Sequence, residues 1–169
     1  DWAGYAQREA ESRARGRLRG RSVTTFLEWT GGNALAEKVT VNVRAEGIIE
    51  LSSATMAMGQ GIQTSYAQLA VDVFGVPIER IRILQGDTDV ANGFGSAGSR
   101  SLFTGGGALQ VASQKTVEHA KDLASEALEA AAPDIEYAAG EFRVVGTDVK
   151  IGLFELAARQ AQGRITVSG

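Results

Sequence analysis

Two glycine-rich turns constrain this chain more than any other feature. One is Gly59-Gln60-Gly61; the other covers residues 93–101 and runs on into Gly105-Gly106-Gly107. Between them lie one predicted helix and one predicted strand, and each turn stands where a helix is about to begin. Glycine reaches backbone conformations closed to other residues, so a chain written this way can turn tightly at both places. A helix start also leaves backbone N–H groups unpaired, and these can face an anionic ligand. Gln60, Ser99, Arg100 and Ser101 add side-chain donors. Together these residues form a candidate cradle for a pyrophosphate-bearing ligand.

The chain has 169 residues, about the length of one domain and enough to bury a proper core. A hydrophobic fraction of 44% and a charged fraction of 22% are ordinary for a soluble globular protein. The net charge of -3 argues against a general nucleic-acid binder. With no cysteine, the segment can hold no disulfide, iron–sulfur cluster or thiolate-bound metal, and one histidine, His119, does not make a His-based metal site. No apolar run approaches the ~20 residues that span a bilayer, and no signal-peptide pattern opens the chain. The expected location is cytoplasmic. The chain opens on Asp1 and stops at residues 165–169, which read as the start of another strand or a connector. The expectation is therefore a fragment of something larger.

Residues 1–20 read as a polar connector. Residues 4–15 suit a polar helix ended by Gly16 and Gly20, with six arginines from Arg8 to Arg21 along the segment. They fit either an arm for an anionic surface or a solvated connector; aromatic interleaving is absent. Residues 21–169 form the expected domain. Residues 22–30 read as a strand followed by a turn at Gly31-Gly32-Asn33. Residues 38–45 alternate strictly, with Val39, Val41 and Val43 on one face, and Glu46-Gly47 is a hairpin turn into a partner strand at 48–55. These three strands suggest an antiparallel meander. A helix follows at 62–74, closed by Gly75 and Pro77, then a short strand at 80–84. A long helix spans about 104–132 and stops at Pro133, with a stripe of Val117, Ala120, Leu123, Ala124, Ala127 and Leu128 packed on a sheet. Short strands at 135–138, 141–145 and 149–151 precede a helix at 151–160 carrying Leu153, Leu156 and Ala157. The fold class is α+β, a mixed sheet packed by helices, in the order β-β-β-α-β-α-β-β-α.

Several residues admit two readings. Gly59-Gln60-Gly61 is either a ligand approach or an ordinary strand–helix turn; no Gly-Lys-[Ser/Thr] follows, so it is not a phosphate-binding P-loop. Gly93, Gly95 and Gly98 match a loose G-x-G-x-x-G without its compact βαβ context. Gly98-Ser99-Arg100-Ser101 suits phosphate or pterin oxygens, or else Arg100 caps a neighbouring carbonyl or pairs with Asp87 or Asp89. Asp87-Thr88-Asp89 fits either a Mg²⁺ pair or an Asx turn. His119 reads as a helix-surface residue, and Phe94 either stacks on a ligand or plugs the core.

Three pieces in order carry a family resemblance: M-G-Q-G-I-Q-T-x-x-A-Q from Met58, F-G-V-P-I-E-R-I-R-x-x-x-G-D-T-D from Phe74, and G-x-G-S-A-G-S-R-S from Gly93, followed by T-G-G-G-A. In this order and separation they resemble the molybdenum-binding large subunit of molybdenum hydroxylases: xanthine dehydrogenase, aldehyde oxidase and especially the carbon monoxide dehydrogenase large-chain branch. The resemblance covers roughly residues 20–167. It implies a molybdopterin, in bacteria usually the cytosine dinucleotide form, lying between domains. Gly59, Gln60 and Gly61 would approach the molybdenum end, and Gly98, Ser99, Arg100 and Ser101 the pterin or pyrophosphate. Such enzymes hydroxylate a substrate carbon with oxygen derived from water and pass electrons to iron–sulfur clusters and FAD, often on separate subunits. The general-base Glu of the family is expected beyond residue 169, so no residue here is assigned a catalytic or metal-ligating role. The segment would be inactive alone. The competing reading is a non-catalytic structural or interaction module that keeps the fold. A nucleotide-binding protein is a third reading, and it would need a phosphate-binding lysine and a Mg²⁺ ligand.

Overall fold

The computed structural model describes residues 2–27 and 35–169. The strict alternation at Val39–Arg44 (β1) does what period two requires, burying Val39, Val41 and Val43 completely. Gly47 turns the chain at φ +86°, and Ile49–Ser53 (β2) pairs antiparallel with β1, Leu51 opposite Val41. From β2 the chain passes through Ile62–Phe74 (α2) and returns as Ile81–Leu84 (β3), parallel to β2. A parallel return needs such a crossover helix. Arg164–Ser168 completes the sheet on the other side of β1, antiparallel to it (this strand becomes β7 once the small sheet is counted), giving the order β3-β2-β1-β7.

The expected meander is corrected here. Residues 22–27 carry no strand, while 28–30 and the turn expected at Gly31-Gly32-Asn33 lie outside the described residues. The place beside β1 belongs to β7. Its alternation sets Ile165 opposite Val43 and Val167 opposite Val41, so pairing there adds both to the core. Val23, Phe26 and Leu27 instead remain exposed. The α+β class and the mixed sheet stand.

The long helix Gly106–Leu128 (α3) lies over β1 and β7 and packs against α2. Its expected stripe faces the core, but the most buried row is Leu109, Ala112, Ser113, Thr116, Ala120 and Ala124. Thr116 tolerates burial because its hydroxyl donates to the Ala112 carbonyl at 2.7 Å. The helix ends four residues before the expected stop. Glu129 enters the left-handed region at φ +52°, and the Ala130 N–H closes onto the Ser125 carbonyl, so the helix is capped before Pro133 acts. Pro133 instead opens a short 3₁₀ turn.

Ile135–Ala138 (β4), Glu141–Val144 (β5) and Lys150–Gly152 (β6) form a separate antiparallel sheet. Leu153–Ala158 (α4) follows, burying Leu153, Leu156 and Ala157. Tyr137 stacks on Phe142 at 4.6 Å and donates to the Phe74 carbonyl at 2.7 Å, tying this sheet to the end of α2. Near the N-terminus Tyr5–Ala14 (α1) forms the predicted polar helix, ended where Gly16 takes φ +67°. No described helix is long and apolar enough to cross a membrane.

Candidate functional site

Gly59 and Gly61 adopt φ +93° and +77°, and no atom lies within 4 Å of where a side chain would sit on either. Their glycine identity therefore serves the turn, and it leaves the backbone bare. Gly61 is the N-cap of α2, which has no side-chain cap. The second loop repeats the device. Gly98 and Ser99 take φ +55° and +56°, Arg100 stands at the helix start, and again no side chain caps it. Residues Ser101–Gly105 then form a π-helical turn leading into α3. Such widened turns recur at functional sites.

Both helix starts open on one cleft of about 420 Å³. Met58, Gln60, Ile62 and Ser65 line it from the first loop and α2; Ala97, Gly98, Ser99, Ser101 and Leu102 line it from the second. Met58 and Leu102 are exposed. Unpaired helix-start N–H groups, bare glycine backbone, three serines and exposed apolar side chains suit a ligand with both anionic oxygens and a flat ring. A neighbouring recess of about 200 Å³ lies between residues 86–88, residues 91–95, Ala54 and Met56.

Polar ties hold the loops in register. Ser96 Oγ accepts from the Met56 N–H and donates to the Met56 carbonyl, each at 2.9 Å. Gln85 donates to the Thr55 carbonyl, and Tyr66 Oη donates to the Ser101 carbonyl at 2.7 Å. A side chain on Gly105 would collide with the Tyr66 hydroxyl, so this glycine is required by close approach. Burial pushes the Tyr66 phenol above its ordinary pKa, which keeps it a proton donor.

A family model described as the molybdopterin cofactor-binding domain matches residues 1–169, the whole chain. The chain belongs to the molybdopterin cofactor-binding domain family. The domain is 39% identical, over 86% of its length, to the 6-hydroxypseudooxynicotine dehydrogenase complex subunit gamma of Paenarthrobacter nicotinovorans, covering 18% of that protein. It is 32% identical, over 89% of its length, to the carbon monoxide dehydrogenase large chain of Afipia carboxidovorans, covering 21%. Among solved structures, the Cu,Mo-CO dehydrogenase superposes with a TM-score of 0.74 at 29% identity over 100% of the domain and 25% of that chain. Quinoline 2-oxidoreductase from Pseudomonas putida 86 gives 0.71 at 30% identity over 99% and 24%. The domain thus spans about a fifth of the length of the curated relatives it matches.

The structure brings six of the seven predicted site residues to the molybdopterin domain's cleft or its rim. Gln60, Gly98, Ser99 and Ser101 line it, and Gly59 and Gly61 flank Gln60. The Gln60 amide also braces its own loop, donating to the Met56 carbonyl at 2.9 Å and accepting from the Met58 N–H. The seventh, Arg100, turns inward and is 1% exposed. Its Nη1 donates to the Gly95 carbonyl at 2.7 Å and to Glu37 at 2.9 Å, and its Nη2 donates to the Leu35 carbonyl at 2.9 Å. Carbonyl capping occurs as weighed, but the acid partner is Glu37, not Asp87 or Asp89. Those two form the Asx turn, the Asp89 N–H donating to Asp87 at 2.9 Å. His119 is exposed on α3. Phe94 is exposed beside the smaller recess with Arg100 over its ring at 5.3 Å. Sequence reasoning missed Glu37, Thr55 and Tyr66. Tyr66 falls on the buried face of α2, so the periodicity marked its depth but not its hydroxyl's target.

Proposed function

We propose that this domain supplies part of the molybdopterin site of a molybdenum hydroxylase large subunit, the cofactor being the cytosine dinucleotide form. The observation that carries this is the convergence of two glycine turns, remote in sequence, on one cleft at the start of α2 and of the π-helical turn that leads into α3. When bound, the cofactor supplies two-electron oxidation of a substrate carbon. The chain's own work is binding and orientation. Ser99 and Ser101 present hydroxyls, and the helix starts present N–H groups to anionic oxygens. Met58 and Leu102 give apolar surface to a ring. Gln60 keeps the first turn in shape and sets its amide at the cleft.

The parent reaction is proposed as hydroxylation of a carbon substrate or oxidation of carbon monoxide. The relatives are named for nicotine-type compounds, quinoline and carbon monoxide, which supports both. Iron–sulfur and FAD subunits, the remaining large-subunit domains and a small-molecule substrate are the proposed partners, since relatives carry subunit names. A cytoplasmic place and an inactive isolated segment complete the proposal, with the general-base Glu outside residues 1–169. Gln60→Ala in the intact parent is expected to lower the molybdenum-to-protein ratio, measured by mass spectrometry, with the melting temperature held within a few degrees. Full molybdenum loading in that variant would contradict the assignment of this cleft.

A further inference from the structure

We infer that Glu37 is a positioning residue for the cleft, acting through Arg100 and not on the ligand; the inference rests on the cofactor reading above. Arg100 lies between Ser99 and Ser101, both at the cleft, yet its guanidinium is held underneath by Gly95, Leu35 and Glu37. To reach a ligand it would have to abandon all three. The Glu37 side chain is 1% exposed, as is that of Arg100. Its second oxygen lies 3.4 Å from both Ser53 Oγ and Thr55 Oγ1, at the end of β2 where the first loop departs. One carboxylate, 63 residues before Arg100 in the sequence, therefore touches the base of the first turn as well as the base of the second.

The chemistry of the pair explains why it fits this task. A guanidinium presents a rigid fork of donors, so it sets the direction of the Gly95 carbonyl as well as its distance. Gly95 itself is at φ +85°, a conformation open to glycine, and its carbonyl accepts from Arg100 Nη1 at 2.7 Å. Among the described residues Glu37 is the one carboxylate paired with the guanidinium, whose buried Nε has no hydrogen-bond partner there. Removing the carboxylate leaves an uncompensated buried cation on the residue that follows Ser99 in the second loop. The loop would then shift to hydrate it, and the cleft would lose its shape.

The test uses the intact parent complex, prepared once in a host that makes the cofactor and once in a host that cannot. Molybdenum per large subunit is measured, together with the difference in melting temperature between loaded and cofactor-free protein. Glu37→Gln and Arg100→Met are each expected to cut loading several-fold and to shrink that difference. The double variant should be no worse than Arg100→Met, because the carboxylate acts through the guanidinium. If Glu37→Gln does not accumulate, Glu37→Asp carries the same comparison with the charge kept. Equal melting losses in loaded and cofactor-free protein at full loading would make Glu37 merely structural and overturn the inference. So would loss of loading in Arg100→Met with none in the Glu37 variants, which would put Arg100 on the ligand. A wild-type complex without molybdenum would overturn the cofactor reading and this inference with it, whereas the other two failures leave that reading standing.

Discussion

At the residue scale, polar side chains hydrogen-bond the backbone of the loops that line the cleft. Tyr66 is held neutral by burial, and its hydroxyl pins the first residue of the π-helical turn. A phenol whose pKa is raised on folding stabilises the protein fully below its ordinary value of about 10, and that contribution is lost as the pH rises past it. Tyr137 is raised by burial in the same direction, so both contribute to alkaline sensitivity. Tyr66→Phe is expected to cost about 1 kcal/mol near neutral pH, by removing one hydrogen bond. It should also make the fall in melting temperature above pH ~10 shallower than in wild type. An unchanged alkaline profile would mean the phenol titrates without consequence. Of this, the helical period made only the depth of Tyr66 legible, not the partner of its hydroxyl. Glu37 and Arg100 are charged residues of the kind that normally face water, and their pairing is a tertiary event with no local periodic signal. Ser99, Ser101 and Gln60 were legible, because glycine spacing and adjacent donors are local properties of the chain.

At the element scale, the sequence pattern was strongest where period and punctuation agree. The alternation in β1, the helix closed by Gly75, and β4 at residues 135–138 each appear at or within a residue or two of their predicted bounds. It was weakest where two segments compete for one place. Residues 22–30 and 164–168 both carry strand-like residues, and which of them borders β1 depends on the face each adds to the core. The end of α3 was misplaced for a related reason: Pro133 forbids continuation, but a left-handed Glu129 with the Ala130–Ser125 closure ends the helix sooner. Gly75 shows how an element end also carries packing. It takes φ +61°, and a side chain there would meet the backbone of Ala139, in the turn of the small sheet, at 2.9–3.0 Å. Gly75→Ala combines a left-handed penalty of roughly 1–2 kcal/mol with that contact. A lowered melting temperature of the parent is expected, while a neutral substitution would show that the small sheet is not seated against α2 as described.

For the whole molecule, the domain is, under the proposed function, one piece of a larger site. Two helical segments start at a shared cleft, α2 and α3 pack on the mixed sheet, and the buried Glu37–Arg100 ion pair sits at the base of the second loop. The domain matches the molybdopterin-binding family along its full length yet spans about a fifth of its curated relatives. Met58 and Leu102 at the larger recess and Phe94 at the smaller are exposed, and other parts of a large subunit are proposed to cover them. The most direct measurement is made on the intact parent complex, purified with its neighbouring subunits. Molybdenum is quantified by mass spectrometry alongside the cytidine nucleotide released by acid. Near-stoichiometric amounts of both are expected if the domain frames a molybdopterin cytosine dinucleotide. Neither species, in a host able to make the cofactor, would contradict it.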